Sequence, residues 1–340
     1  MVGIKDVAQR AGVSIGTVSN VVNRPHVVSP ATRTRVLSVI EELGYVRDES
    51  ARQLRAGHSR MMALLVLDLG NPFFVDVARG AEEAAHREGL HVMICNSGQR
   101  VDLEASYLAM LAEQRVRGVL LSPVDTAVEP LRRSRIPYVL VDRRAPVGQA
   151  SSVSVDDVAG GALAMRHLLE SGHTRLAFVN GPAVLTQCAD RAVGVRQVLS
   201  ESAARLDVLE TSALDVASGR DAGSRLLGMS ARPTAVFCAN DLLALGVLQA
   251  MVSADVKVPE EMAIVGYDDI EFAAAAAVPL SSVRQPAKRL GRVAAEILIA
   301  ETSGDEDPPE HQAVVFKPEL VVRDSTRARR GNDARATYSS

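Results

Sequence analysis

The chain has 340 residues, of which 47% are hydrophobic and 23% charged, with a net charge of −3, a globular composition too long for one compact core. No stretch approaches the roughly 18–20 uncharged apolar residues of a membrane span, and Met1-Val2-Gly3-Ile4-Lys5-Asp6 lacks the charge and apolar pattern of a leader. Cys95, Cys188 and Cys238 are odd in number, far apart and set among apolar residues, which excludes a disulfide framework or a paired-cysteine metal site and predicts buried packing residues in a reducing cytoplasm.

Charge is uneven along the chain. Residues 1–60 carry nine Lys/Arg against five Asp/Glu, leaving +4 there and −7 over the remaining 280 residues. A basic segment on an acidic body suits a polyanion-binding module on a soluble carrier. Within it, Ile4, Val7, Ala8 and Ala11 keep the i, i+3, i+4, i+7 stripe of a helix that Gly12 stops. Ser14 is an N-cap by type and opens a second helix, Ile15 to Asn23, with Val18, Val21 and Val22 as its stripe and Pro25 as its stop. Ser29 and Pro30 open a third, whose stripe is Val36, Leu37, Ile40 and Leu43 before Gly44. Two short helices joined by a glycine-containing turn make the helix-turn-helix pattern. Ser14, Thr17, Ser19, Asn20 and Asn23 fall on the outer face of the second helix. Their short hydroxyls and amides suit phosphates and base edges, and the helix N-terminus adds partial positive charge.

Asp48 to Gly57 has the make-up of one short helix, acids first and arginine late. A helix under about twelve residues is marginal alone in water, so this segment is expected to fold only when held by a partner chain and DNA.

Beyond residue 60, apolar runs alternate with helical segments. Strands are expected at 63–67, 91–95, 118–121, 138–141, 175–179, 235–238 and 262–265, and helices at 77–88, 158–171, 191–202, 241–252 and 287–301. Short apolar strands alternating with helices predict parallel sheets covered on both faces, with enough strands for two lobes. Polar residues gather in the strand-to-helix turns, and ligands of open α/β sheets bind at the carboxyl ends of strands. Those turns should line one cleft. No GxGxxG follows an early strand, and no Walker, HExxH or GxSxG sequence occurs, so neither catalysis nor a cofactor is expected.

Ile4-Lys5-Asp6-Val7-Ala8, Ala11-Gly12-Val13-Ser14, Thr17-Val18-Ser19, Val22-Asn23 and Ile40-Glu41-Glu42-Leu43-Gly44-Tyr45 resemble the head of the lactose-repressor/galactose-repressor (LacI/GalR) family. The resemblance continues to about residue 325 through Asn71-Pro72-Phe73-Phe74, Val153-Ser154-Val155-Asp156, Ala239-Asn240-Asp241, Gly266-Tyr267-Asp268-Asp269 and Arg284-Gln285-Pro286. It implies an all-α helix-turn-helix head on an α/β body: a two-lobed periplasmic-binding-protein-like (type I) core with parallel sheets. By that resemblance the second helix enters the major groove, and Ile15, Gly16 and Asn20 fall where the family reads bases. Gly16 has no side chain for a base edge and Ile15 offers only apolar contact, so readout leans on Asn20. Ser14, Thr17, Ser19, Asn23 and Thr32 are then phosphate anchors. Ala51-Arg52-x-Leu54-Arg55 resembles the family's hinge helix, which makes Leu54 a minor-groove wedge with Arg52 and Arg55 near the backbone. Effector contacts would be Phe73, Phe74, Asp142, Arg191, Asn240 and Asp268.

The expected domains are a DNA-binding domain at 1–46, a hinge at 47–60, a ligand-binding and dimerisation core at 61–325, and a disordered tail at 326–340. Lobe 1 takes about 61–156 and 288–317 and lobe 2 about 157–285 and 319–325, with three crossings near 156–161, 285–289 and 317–320. The tail lacks leucine heptads, so a homodimer is expected, its twofold matching a palindromic operator in double-stranded DNA. The reading is a cytoplasmic repressor tuned by a small sugar-like effector. Control by a protein partner or a sugar phosphate stays open, the latter because Arg143 and Arg144 follow Asp142, and a solute-binding transport protein is a further alternative.

Overall fold

The computed structural model describes residues 2–45, 59–124, 136–146, 148–304 and 309–327. The chain divides into two compact units, one ending at Ser59 and the other beginning at Arg60.

The first unit holds α1 (Ile4–Ala11), α2 (Ile15–Asn23) and α3 (Pro30–Leu43), with a single 3₁₀ turn at Pro25–Val27. Each boundary has a local cause. Gly12 and Gly44 take left-handed φ of 62° and 60° and close α1 and α3. Ser14 Oγ accepts from Thr17 N at 3.1 Å, and Ser29 Oγ from Thr32 N at 3.4 Å, caps that each contribute about 1 kcal/mol. The core is small and built of valine and alanine: Val7, Ala8, Ala11, Val18, Val21, Val36 and Val39. One expected core residue is wrong. Leu37 is 49% exposed and Val39 is buried instead. Val36, Val39, Ile40 and Leu43 keep one i, i+3, i+4, i+7 stripe, and Leu37 lies one residue, or about 100°, off it.

The second unit is two six-stranded sheets. The first comprises β1 (Met61–Val66), β2 (His91–Asn96), β3 (Val119–Leu121), β4 (Tyr138–Val141), β5 (Ser151–Val155) and β11 (Ala313–Phe316). Its order is β11-β5-β4-β3-β1-β2, parallel throughout. The second comprises β6 (Arg175–Asn180), β7 (Arg205–Glu210), β8 (Ala235–Cys238), β9 (Ala263–Asp268), β10 (Ser281–Arg284) and β12 (Glu319–Val321). Its order, β12-β10-β9-β8-β6-β7, repeats the first, with only β12 antiparallel. The chain passes between lobes at Asp156, at 285–286 and at 317–318.

The helices are α4 (Pro72–Arg87), α5 (Val101–Glu113), α6 (Asp157–Glu170), α7 (Thr186–Leu199), α8 (Val216–Leu227), α9 (Asp241–Ser253), the one-turn α10 (Glu271–Ala274) and α11 (Ala287–Glu301). Pairs α4/α11, α6/α7 and α8/α9 pack closely. A Cβ on Gly80 would stand 1.9 Å from Lys288 O, so α4 and α11 meet backbone to backbone. This ties the segment after the second crossing firmly onto lobe 1.

β5, β7, β10, β11 and β12 were not expected as strands, nor α5, α8 and α10 as helices. β5 and β10 carry buried serines in place of an apolar run, and β7 and β11 are half-exposed. The body also runs past residue 325. Thr326 Oγ1 bonds His167 Nε2 at 2.8 Å and Ser281 Oγ at 2.7 Å and is buried, so the expected tail does not begin there. Residues 328–340 lie outside the described residues.

Candidate functional site

Two surfaces carry the expected residues, one in each unit. In the first, Ser14, Ile15, Gly16, Asn20 and Asn23 are exposed and Thr17 and Ser19 half-buried, all on or capping α2. The polar side chains are paired. Ser14 Oγ lies 2.9 Å from Thr17 Oγ1, and Asn23 Nδ2 donates to Ser19 O at 2.9 Å and Ser19 Oγ at 3.2 Å. Thr32, in the first turn of α3, accepts from Ser29 Oγ at 2.9 Å. Asn20 makes no such bond within the face. Ile15, 45% exposed, presents an aliphatic group at the N-terminus of α2. This face is a row of exposed donors and acceptors beside one apolar contact, on a helix with no acidic residue. Arg52, Leu54 and Arg55 lie outside the described residues.

In the second unit, Phe73, Phe74, Asp142, Arg191, Asn240 and Asp268 all line one cleft between the lobes. Three of them stand where strands end: Asp142 follows β4, Asn240 follows β8, and Asp268 closes β9. Asp142 and Asp268 have positive φ, 60° and 103°, strained conformations for a residue with a Cβ, costing on the order of 1–3 kcal/mol each. Phe73 and Phe74 open α4 with ring centroids 5.0 Å apart, edge to face. Asn71 sets them there by accepting from Phe73 N at 3.0 Å.

Arg191 is the cation of the cleft and is held on three sides. Nε donates to Asp157 Oδ1 at 2.8 Å, Nη1 donates to Ala239 O at 2.6 Å, and Cζ sits 3.7 Å from the Tyr267 ring centroid. Tyr267 Oη donates to Asp157 Oδ1 at 2.8 Å. A Cβ at Gly160 would lie 2.2 Å from that hydroxyl, so only glycine there lets Tyr267 reach Asp157. Burial alone would lower the Arg191 pKa, but Asp157, then Tyr267 and Asp268, hold it well above the ordinary value.

The carboxyl groups behave in the opposite way. Asp142 is pushed up to about 8 by burial and then by the Asp157 charge, against the pull of Arg191 and the Gln187 hydrogen bond. It therefore carries a proton at neutral pH. Gln187 Nε2 donates to Asp142 Oδ2 at 2.8 Å and to Asp142 O at 3.1 Å, while Oδ1 is buried with no partner. Oδ1 is thus the atom able to hold the proton and offer it to a ligand. Burial also raises Asp268, opposed by Arg191 and by hydrogen bonds from Asn71 Nδ2 at 3.0 Å and Gln285 Nε2 at 2.7 Å. Asn240 uses both side-chain atoms locally, accepting from Leu243 N at 2.9 Å and donating to Leu214 O at 3.0 Å.

Two of these bonds cross the cleft: Asn71 to Asp268 and Gln187 to Asp142. They hold it to a cavity of about 40 Å³, room for on the order of three waters. Asn71, Gln187 and Gln285 were not foreseen as site residues. Asn71 and Gln187 lie in the strand-to-helix turns 68–74 and 181–191, which are among those expected to line the cleft, and Gln285 precedes the proline of the second crossing. Cys188, expected as packing, is buried but also lines the cleft. Arg143 and Arg144 do not line it, and Arg144 stands 3.6 Å from Asp156.

Residues 3–48 match the model of bacterial regulatory proteins of the lacI family, and residues 165–326 match a periplasmic binding protein-like domain. The transcriptional repressor PurR of Vibrio parahaemolyticus is 35% identical over 337 residues, covering 96% of this chain and 99% of the relative. The chain belongs to the LacI family. Among solved structures, a transcriptional regulator CelR–cellobiose complex is 32% identical with TM-score 0.71, covering 96% of this chain and all of that one. The lac repressor dimer bound to operator and the anti-inducer ONPF is 25% identical with TM-score 0.81, covering 96% and 99%. As a LacI-family member the chain is a DNA-binding repressor modulated by a small-molecule effector. A match that spans both head and body sets the transport alternative aside. No helix among the described residues is long and apolar enough to cross a membrane.

Proposed function

We propose that this repressor reads a palindromic operator through α2 and senses a small sugar or sugar derivative in the cleft, working in the cytoplasm and catalysing nothing. Asn20 supplies the base-edge contact, Ile15 an apolar contact such as a thymine methyl, and the Ser14/Thr17, Ser19/Asn23 and Thr32 groups hold the phosphates. Leu54, Arg52 and Arg55 serve the minor groove between two paired heads. In the cleft, Phe73 and Phe74 cover an apolar sugar face, while Arg191, Asp142 and Asp268 meet hydroxyls.

One observation carries the sugar reading: six residues from five separate places in the chain, the start of α4, the ends of β4, β8 and β9, and the body of α7, converge on one narrow cleft, tied across by two hydrogen bonds. A ligand there must replace those bonds with its own donors and acceptors. It changes operator affinity only by its difference in affinity for the two lobe arrangements. The similar CelR is solved with cellobiose and a LacI family regulator of Enterococcus faecium with ribose, which supports a sugar over a protein partner. The test is operator binding by fluorescence anisotropy across a library of neutral sugars, on the parent chain and on Gln187→Ala. A sugar that shifts the parent curve and acts more weakly on the variant supports the reading. A library that leaves operator affinity and melting temperature unchanged overturns it.

A further inference from the structure

Asp142 stands on lobe 1, and the charges that act on it stand on lobe 2. Asp157 opens α6, Arg191 comes from α7 with Gln187, and Asp268 closes β9. Asp142 is 5% exposed and Asp268 7%. With every acid ionised, three carboxylates would face a single guanidinium, and Arg191 is already committed to Asp157 at 2.8 Å. Among the described residues lining the cleft, the other titratable groups are Asp68 and Cys188. Asp68 accepts from Gly70 N at 2.8 Å within its own turn, and burial pushes the Cys188 thiol up to about 11. Neither brings a positive charge to Asp142.

The bonds between the lobes decide what ionisation would do. Gln187 Nε2 donates to Oδ2 and to the main-chain O of Asp142, and Oδ1 is buried with no partner. A negative charge shared by both oxygens would have a donor on only one of them, with two carboxylates opposite. Once the lobes part, water meets both oxygens and those carboxylates recede. Burial, and after it the Asp157 charge, are what raise this carboxyl, and opening removes both.

We propose that closing the lobes takes up one proton at Asp142, which makes the cleft a latch that loosens as pH rises. This rests on the cleft being the site that sets operator affinity. A carboxyl with a higher pKa in the closed form than in the open form binds protons preferentially when closed, so acid favours closure. The ratio of closed to open forms is greatest below the open-form value. Above that value it falls by up to about tenfold per pH unit, and it levels off once pH passes about 8. Loss of the proton thereby shifts operator affinity through the same two lobe arrangements that an effector selects between.

The test follows the full chain without ligand from about pH 5.5 to about pH 9 by infrared spectroscopy and small-angle X-ray scattering, on the parent and on Asp142→Asn. In the parent, a protonated-carboxyl band that the variant lacks should fade while the radius of gyration rises in the same step. Operator affinity by fluorescence anisotropy should move about fivefold or more across that step. Asp142→Asn, which keeps a neutral acceptor for Gln187, should lose the step in all three readouts. Should that variant melt well below the parent, the parent alone still decides: loss of a carboxyl proton without a change in radius, or the reverse, overturns the proposal. Equal pH responses of the parent and a folded variant overturn it as well. An opening step that leaves operator affinity unmoved would leave the latch standing and overturn the cleft as the control of operator binding.

Discussion

The outer face of α2 and the cleft between the lobes use the same kinds of side chain in opposite settings. On α2, Ser14, Thr17, Ser19 and Asn23 are exposed or half-exposed and pair with one another, so water or a phosphate exchanges with their bonds at little cost. In the cleft, Asp142, Arg191, Asn240 and Asp268 are nearly dry, and each missing bond costs the desolvation of its group. The first surface is stabilised by three small helices beneath it and gains energy only on meeting DNA. The second is bound up with the stability of its own lobes. Substitutions on α2 should therefore separate binding from folding, whereas substitutions in the cleft should mix them.

The largest effect is expected at Arg191. Arg191→Met leaves Asp157 buried without its cation and should lower unfolding free energy by about 3–5 kcal/mol in a urea titration, with Asp157→Leu added in the same chain recovering much of it. A loss under about 1 kcal/mol would mean that solvent reaches this pair.

Next comes the pH dependence of the cleft. The folded protein keeps a proton on Asp142 that the unfolded chain releases above its ordinary value of 3.8. Its contribution is full below that value and is lost as pH rises through about 8. The parent should lose on the order of a few kcal/mol more than Asp142→Asn between pH 5 and pH 9. Parallel stability profiles would contradict the buried, protonated carboxyl.

Smaller effects belong to the head. Asn20→Ala should weaken specific operator binding by about 1–3 kcal/mol, with nonspecific binding and melting temperature nearly unchanged. Ser14→Ala removes a cap and should cost about 1 kcal/mol of head stability. Leu37→Ala should stay within about 0.5 kcal/mol, since that side chain stands outside the core.

Much of this contrast was legible in the sequence where local rules suffice. Helix limits in the head follow from Ser14, Gly12, Pro30 and Gly44, residues whose side chain or backbone freedom fixes a boundary by itself. The apolar central strands were equally plain. β5 and β10 were not, because their inward residues include serines; those of β10 are satisfied by distant partners, Ser281 by Thr326 and Ser282 by Asp241, while in β5 Ser151 bonds Glu301 and Ser154 Oγ is buried without a partner. The six residues proposed to meet the effector were placed by resemblance, three of them also by their position at strand ends. The bonds that close the cleft were not readable, since Gln187 reaches Asp142 across 45 residues and Asn71 reaches Asp268 across 197. Pairings of that range depend on how two lobes dock.

The most direct test of the account is selection of genomic fragments by the full-length chain at moderate salt, compared with its Asn20→Ala variant. The parent should enrich a sequence with twofold symmetry over bulk DNA, and the variant should lose that enrichment while still retaining fragments nonspecifically. A parent that retains all fragments alike would contradict the assignment of α2 as the reading element.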